Sequence, residues 1–466
     1  MVFKMHKKIS FFSLVMLIVA SIDSIRNLPS AALFGSDLIF FFIGAALVFL
    51  VPTALVAAEL TATYPEKGGI YHWVYKAFGD KWAMVAIWMQ WINTMVWYPT
   101  ILLFISGTAA YLIHPDLVQN KTYLVCSVLT IFWSITIANF WGMHFSSKMN
   151  NLFGIIGTIF PMLLLITLGG IWVFSGEPLQ IEVNVSTLVP SFSNSTAWIS
   201  LIAIMASFLG MELAGVHVAD IKNPQKNFPR ALLLSSFFIL ATMVLGSLAI
   251  AFVLPAKQIN LVSGVMQVLS SIFEIFHLEW LTPVLTVLIV LGSTGSIINW
   301  LISPAKGLMH AAEFGYLPPI FAKKNAKGVP VNILLSQAIL VSVFCFLFLL
   351  VPGVNGFYWF LTGLSTELYM IMYVLMFLAA FKLHYKEQNR PKVFKIPGGA
   401  LGIGLVCFFG ILGCLATISV FFLHPENIDL GSKSRYLFMV IFGNVLTILP
   451  VFLFYMYKKK KNSFFK

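Results

Sequence analysis

Four ionisable side chains interrupt otherwise apolar segments of this sequence. Asp23 and Arg26 stand three residues apart in Ala20-Ser-Ile-Asp-Ser-Ile-Arg-Asn-Leu-Pro29, Glu212 lies in Ser207-Phe-Leu-Gly-Met-Glu-Leu-Ala-Gly215, and Glu367 lies in Leu364-Ser-Thr-Glu-Leu-Tyr369. A charge in an apolar span is costly, so such residues face a cavity or one another and mark a path for ions, protons or polar ligands. Asp23 suits an ammonium group and Arg26 a carboxylate. Two other arrangements fit the same spacing: mutual neutralisation, since i and i+3 share a helix face, or Arg26 closing one end of a path. Glu212 has two roles open to it. A carboxyl removed from water takes up a proton more readily, which suits proton coupling, and a carboxylate also caps backbone amides freed where a helix breaks. Glu367 fits a second proton carrier, a ligand contact, or a structural partner of Arg26 or a serine.

Two breaks position these groups. Pro29 interrupts the first apolar segment beyond Asp23 and Arg26. Gly210 and Gly215 flank Glu212 and let the helix unwind there. The breaks fall in spans 1 and 6, five spans apart, and an odd offset makes the second unit an inverted copy of the first. Matched breaks in inverted repeats point to a binding site at the membrane midplane. Half-helix N-termini attract a carboxylate and freed carbonyls accept an ammonium, so the expected ligand is a zwitterion.

The chain has 466 residues, 59% hydrophobic and 10% charged, with a mean hydropathy of +0.91. Soluble domains carry roughly 25% charged residues, so the composition is that of a polytopic membrane protein. Apolar runs of about 20 residues predict twelve spans, near 9–34, 38–60, 83–112, 122–140, 151–174, 198–220, 231–254, 279–302, 331–351, 357–381, 400–423 and 434–457. With both termini on one side, 24 of the 29 lysines and arginines fall on that side and 4 on the other. That bias puts both termini in the cytoplasm and accounts for the net charge of +12 without nucleic acid. The basic N-terminus precedes a run that continues past Asp23 with no small-residue cleavage site, so it reads as a first span rather than a signal peptide. Cys126, Cys345, Cys407 and Cys414 lie in apolar segments without a CxxC pair, which supports neither a disulfide framework nor a metal site. No Ser/His/Asp, HExxH or phosphate-loop pattern suggests an enzyme.

The stretch Gly210-Met-Glu212, followed by Asp220, Lys222-Asn-Pro224 and Pro229-Arg230, resembles the amino acid–polyamine–organocation superfamily. So do Ala58-Glu-Leu-Thr-Ala-Thr-Tyr-Pro-Glu-Lys-Gly-Gly-Ile-Tyr-His-Trp73 and the run from Ser303 through Lys306, Gly307 and Leu317-Pro-Pro319 to Gly328-Val-Pro330. Ile259-Asn-Leu-Val-Ser-Gly-Val-Met-Gln267 and Phe394-Lys-Ile-Pro-Gly-Gly399 are similar to the bacterial glutamate/GABA antiporters within it. The resemblance spans nearly the whole chain. It implies an all-α membrane protein of twelve helices with a LeuT-like 5+5 inverted repeat and broken helices 1 and 6: residues 1–174 as one repeat, 198–381 as the other, 400–457 as helices 11 and 12. It implies alternating access in the bacterial inner membrane, with amino acid exchange or proton-coupled uptake and no cofactor. The proton is the expected coupling ion, with sodium near the first break and Ser293, Thr294 and Ser296 as the alternative. Relatives include monomers and homodimers, so both remain open.

By the same resemblance Ile22, Asp23 and Ser24 occupy the unwound part of helix 1, and Gly210, Met211 and Glu212 that of helix 6. Trp300 stands where relatives place a gating aromatic. Beside the resemblance, Asp220 with Lys222 and Arg230 reads as a cytoplasmic gate network rather than a binding site. Arg26, Asn93 and Glu367 complete the expected substrate contacts, with Glu212 and Glu367 as proton carriers. Trp91 and Trp97 lie beside Asn93 on a helix that lines the site in relatives, Glu59 reads as structural, and His217 as packing. Three features depart from the branch. Its members have an uncharged first break, they are apolar where this chain has Glu367, and their long C-terminal plug has no counterpart after Lys461, so no steep acid gate of that kind is expected. A cationic amino acid or polyamine exchanger suits Asp23, Glu212 and Glu367 as a rival. A non-transporting amino acid sensor is another, although it would need a regulatory domain or tail.

Overall fold

The computed structural model describes residues 10–64, 69–141, 155–184, 188–190, 195–213, 221, 223–349, 351, 353–386 and 394–464. These residues form helices joined by short loops, with no β-strand among them. In hydrocarbon every backbone polar group needs an internal partner, and a helix supplies it.

The first segment runs as α1 (Phe11–Ile22), a 3-10 turn (Ile25–Asn27) and α2 (Leu28–Ala32). Ser10 caps α1 by accepting the Ser13 N–H at 3.2 Å. Asp23 and Ser24 between the pieces are extended, with ψ of 117° and 109°. Then follow α3 (Asp37–Thr63), α4 (Gly69–Phe78), α5 (Asp80–Leu112), α6 (Lys121–Phe140) and α7 (Ile156–Phe174). The second broken segment begins as α8 (Ser195–Ala206), loosens into turns over 207–210 and tightens into a 3-10 turn over 211–213. Gly210 adopts a φ of +102°, where a side chain would be strained, and this is where the helix yields. Beyond lie α9 (Pro224–Val253), α10 (Gly264–Ile275), α11 (Leu281–Glu313), α12 (Val331–Phe348), α13 (Val354–Lys386), α14 (Gly399–Phe421) and α15 (Lys433–Phe464).

Nine helices among the described residues are long and apolar enough to cross a membrane: α3, α5, α6, α7, α9, α12, α13, α14 and α15. They coincide with nine of the twelve expected spans. The other three are the two broken segments and α11, whose leading apolar stretch is Leu281–Ile297. Sequence reading did not anticipate α4 and α10, which are too short to register as spans.

α5 packs against α11 and α13, while α9 packs against α1, α3 and α7. α5 and α13 are thus central, and both keep most of their apolar stretch away from the surface. α7 crosses α11 glycine on glycine: a Cβ on Gly157 would lie 2.3 Å from Leu288 O and 2.4 Å from Gly292 Cα. Small residues let membrane helices approach this closely. At the end of the bundle opposite the lysine-rich loops, α10 and the strap before it form a cap. Asn355 at the start of α13 accepts the Leu261 N–H at 2.9 Å and donates to Ile259 O at 3.1 Å. A Cβ on Gly264 would lie 2.9 Å from Pro29 Cβ, so the cap sits directly on α2.

Candidate functional site

Where the first segment breaks, its backbone opens onto a cavity of about 70 Å³. The α1–α2 break, α5, α11 and α13 supply most of its wall, with Thr158 and the end of α8 closing it. At roughly 10–15 Å³ per water that is space for about five waters.

Asp23 and Arg26 both line the cavity and both are buried, 4% and 5% exposed. They do not pair. The extended backbone at 23–24 sends them to different neighbours. Asp23 Oδ2 accepts the Thr242 hydroxyl of α9 at 2.8 Å, and Oδ1 is buried without a hydrogen-bond partner. Arg26 Nη1 donates to Thr100 Oγ1 on α5, and the guanidinium lies 5.2 Å from the Trp97 ring centroid, within cation–π range. Arg26 Nε is likewise buried without a partner, and the Tyr358 hydroxyl donates to the Arg26 carbonyl at 3.3 Å.

Asn93 and Trp300 also line the cavity. The Asn93 amide nitrogen donates to Ser365 O at 2.6 Å and to Ser365 Oγ at 2.9 Å, tying α5 to α13. Trp300 stands 5.5 Å from Trp97, ring to ring, and its indole packs where a Gly210 side chain would be, 3.5 Å from that Cβ position. Ile22 and Ser24 line the break itself. Trp91 packs on Trp88 at 5.1 Å instead, away from the cavity lining. Ser293 and Ser296 line the wall, whereas the Thr294 hydroxyl turns back to Val290 O at 2.7 Å.

Glu212 lies one layer behind the wall, not on it. Its Oε1 accepts the Tyr369 hydroxyl at 2.6 Å, with Gln90 Nε2 3.5 Å away, and its Oε2 accepts the Tyr373 hydroxyl. Tyr373 Oη in turn accepts the Gly210 N–H at 2.9 Å. The carboxylate, 4% exposed, therefore has neutral donors around it and no cation in hydrogen-bond reach among the described residues. Tyr369 is the member of this network that touches the cavity. Met211 is fully buried beside it. Glu367 points to the other side of α13, where Oε2 accepts Asn444 Nδ2 of α15 at 2.8 Å.

Of the expected gate network, Arg230 is exposed on α9, while Asp220 and Lys222 lie outside the described residues, as does His217. Glu59 is buried at the end of α3, with Oε1 3.0 Å from His384 Nδ1 and Oε2 accepting the Ile396 N–H at 2.9 Å. Sequence reading missed Tyr369, Tyr373, Gln90, Thr242 and Thr100. The one available signal was the Tyr369/Tyr373 pair at i and i+4, two phenols on one face of an apolar helix.

The chain is 41% identical over 448 residues to an uncharacterised transporter of Legionella pneumophila, covering 96% of each. It is 27% identical over 461 residues to a glutamate/gamma-aminobutyrate antiporter of Lactococcus lactis, covering 98% of this chain and 92% of the relative. Its fold matches the crystal structure of MhsT in complex with L-phenylalanine, with a TM-score of 0.56, 13% identity and coverage of 95% and 97%. The architecture is therefore LeuT-like. The amino acid permease family profile matches residues 9–445, and this multi-pass membrane protein belongs to that family of transporters.

Proposed function

We propose that the protein is a secondary amino acid transporter of the bacterial inner membrane that works by alternating access as a glutamate/GABA-like exchanger. The observation that carries this is the cavity where the helix 1 break meets the wall formed by Asn93, Trp97, Trp300 and Tyr369. The Lactococcus antiporter supports the substrate class. In this reading residues 1–174 and 198–381 are the inverted repeats, both termini are cytoplasmic, and Trp300 gates the cavity. The helix 1 break presents freed amides and carbonyls to the substrate.

Glu212 is the proton-coupling group of this reading. A buried acid in a membrane protein is by default functional, and this one is joined to the cavity by the Tyr369 hydroxyl. When the carboxyl takes up or loses a proton, the donors around it must rearrange, and the Tyr373 bond to the Gly210 N–H carries that change to the helix 6 break.

The test is counterflow in proteoliposomes. Radiolabelled glutamate or GABA outside is measured against unlabelled amino acid pools inside, at about pH 5.5 and 7.5, for the wild type and Glu212→Gln. Uptake is expected only with an internal pool, with its pH dependence flattened in Glu212→Gln. Uptake indifferent to the internal pool would replace exchange by uniport or symport, and no uptake from any pool would overturn the transport reading.

A further inference from the structure

Asp23 and Arg26 are the charged side chains that line the cavity among the described residues. They are held apart rather than paired. Thr242 fixes Asp23 against α9, and Thr100 with Trp97 fixes Arg26 against α5. Each nonetheless retains one buried polar atom without a partner, Oδ1 on the acid and Nε on the base. An unsatisfied buried oxygen of a carboxylate is costly, and a separated pair of opposite charges forgoes the mutual attraction that offsets desolvation. The arrangement is relieved by a ligand that brings an ammonium to Asp23 and a carboxylate to Arg26 at once.

We propose that Asp23 and Arg26 are a two-pole reader that sets the charge class the cavity accepts, with the substrate ammonium on the Asp23 carboxylate and a substrate carboxylate on the Arg26 guanidinium. This rests on the reading of the cavity as the transport site. It narrows that reading: of the glutamate/GABA pair it favours the GABA-like member, a small amino acid of no net charge, and makes glutamate at neutral pH the poorer exchange partner. With one fixed acid and one fixed base, a substrate with a second carboxylate or a second ammonium leaves that group buried and uncompensated. The same physics makes the preference invertible. Asp23→Asn leaves a cationic cavity that favours a substrate of net charge −1, and Arg26→Gln leaves an anionic one that favours a cation. Selectivity built on opposed charges works by rejecting the wrong ligand as well as holding the right one.

The experiment is competition counterflow with the full-length protein in liposomes at about pH 7.5. The internal pools are GABA and alanine for no net charge, glutamate for net negative, and arginine and putrescine for net positive. For the wild type, GABA or alanine is expected to drive exchange ahead of the other three by about 100-fold, the scale at which one unpaired buried charge is penalised. Glutamate should rise relative to GABA in Asp23→Asn, and arginine or putrescine in Arg26→Gln. Wild-type exchange that proceeds best with glutamate, arginine or putrescine overturns the two-pole reader and leaves transport standing, and so does a charge order that neither substitution moves. No exchange with any pool overturns both. The wild-type arm needs no variant to fold, so the order among pools decides even where Asp23→Asn or Arg26→Gln fails to insert.

Discussion

The Tyr369 hydroxyl donates to Glu212 Oε1 at 2.6 Å while the same tyrosine forms part of the cavity wall. A phenol therefore stands between the cavity and the acid buried behind it. Phenylalanine keeps the ring and deletes the oxygen. A hydrogen bond to a charged group contributes about 1.5–3 kcal/mol, so Tyr369→Phe is expected to slow exchange by about 10- to 100-fold and to displace its pH profile. The pH profile of counterflow checks this. Tyr373→Phe removes a donor on the far side of the carboxylate and is expected to shift the profile as well, with less effect on substrate affinity, because Tyr373 does not reach the cavity.

Thr242→Val takes away the one hydroxyl that holds Asp23, at nearly unchanged volume. The carboxylate then loses its orientation but not its charge. The expected result is a KM raised by about 10-fold, the lower end of the cost of a charge-assisted hydrogen bond, with the order of preference among charge classes retained. Measuring KM across the pools used above separates this from Asp23→Asn, which changes the order.

Gly157→Ala tests the α7–α11 crossing. Its Cβ would meet Leu288 O at 2.3 Å, so the helices must separate, at a cost of about 1–3 kcal/mol for overpacking. Gly44→Ala on α3 is the matched control, since nothing lies within 4 Å of its Cβ position. A lower melting temperature of the detergent-solubilised protein is expected for Gly157→Ala and not for Gly44→Ala.

Glu367→Gln keeps an oxygen to accept the Asn444 amide. Since that side chain faces α15 and not the cavity, the exchange rate and its pH profile are expected to stay within about twofold of wild type, a change under 0.5 kcal/mol. Glu367→Ala takes one acceptor from the Asn444 amide, which keeps Val440 O at 3.1 Å, and should lower the melting temperature. A displaced pH profile in Glu367→Gln would make Glu367 a second proton carrier.

Much of the architecture was legible because the signals are local. Apolar runs marked the long helices, Gly210 marked the second break, and Asp23 and Arg26 drew attention as charges in an apolar segment; Pro29 lies beyond the first break, in the opening turn of α2. What was not legible is direction. Spacing of i and i+3 placed Asp23 and Arg26 on one helical face, but the helix ends at Ile22, so helical spacing no longer applies. Glu367 and Tyr369 are two residues apart on α13, and helical geometry puts them on different sides of it. The charged one turned outward to Asn444 and the neutral one inward to the cavity. Thr100 and Thr242 carry no sequence signal at all, because a threonine in a membrane helix ordinarily bonds its own preceding carbonyl, as Thr366 does with Thr362 O at 2.7 Å.

The cap formed by α10 and its strap bears on how the cavity exchanges with its surroundings. The Asn355 side chain fastens the strap to α13 by two hydrogen bonds to the strap's backbone, and Gly264 seats the cap on Pro29 without room for a methyl group. Outward tilting of α2 must therefore lift the cap or shear it from α13, and the first half of helix 1 can move without doing either. The two ends of one broken helix are thus fastened unequally: freeing α2 at the capped end costs the two Asn355 hydrogen bonds or the Gly264–Pro29 contact.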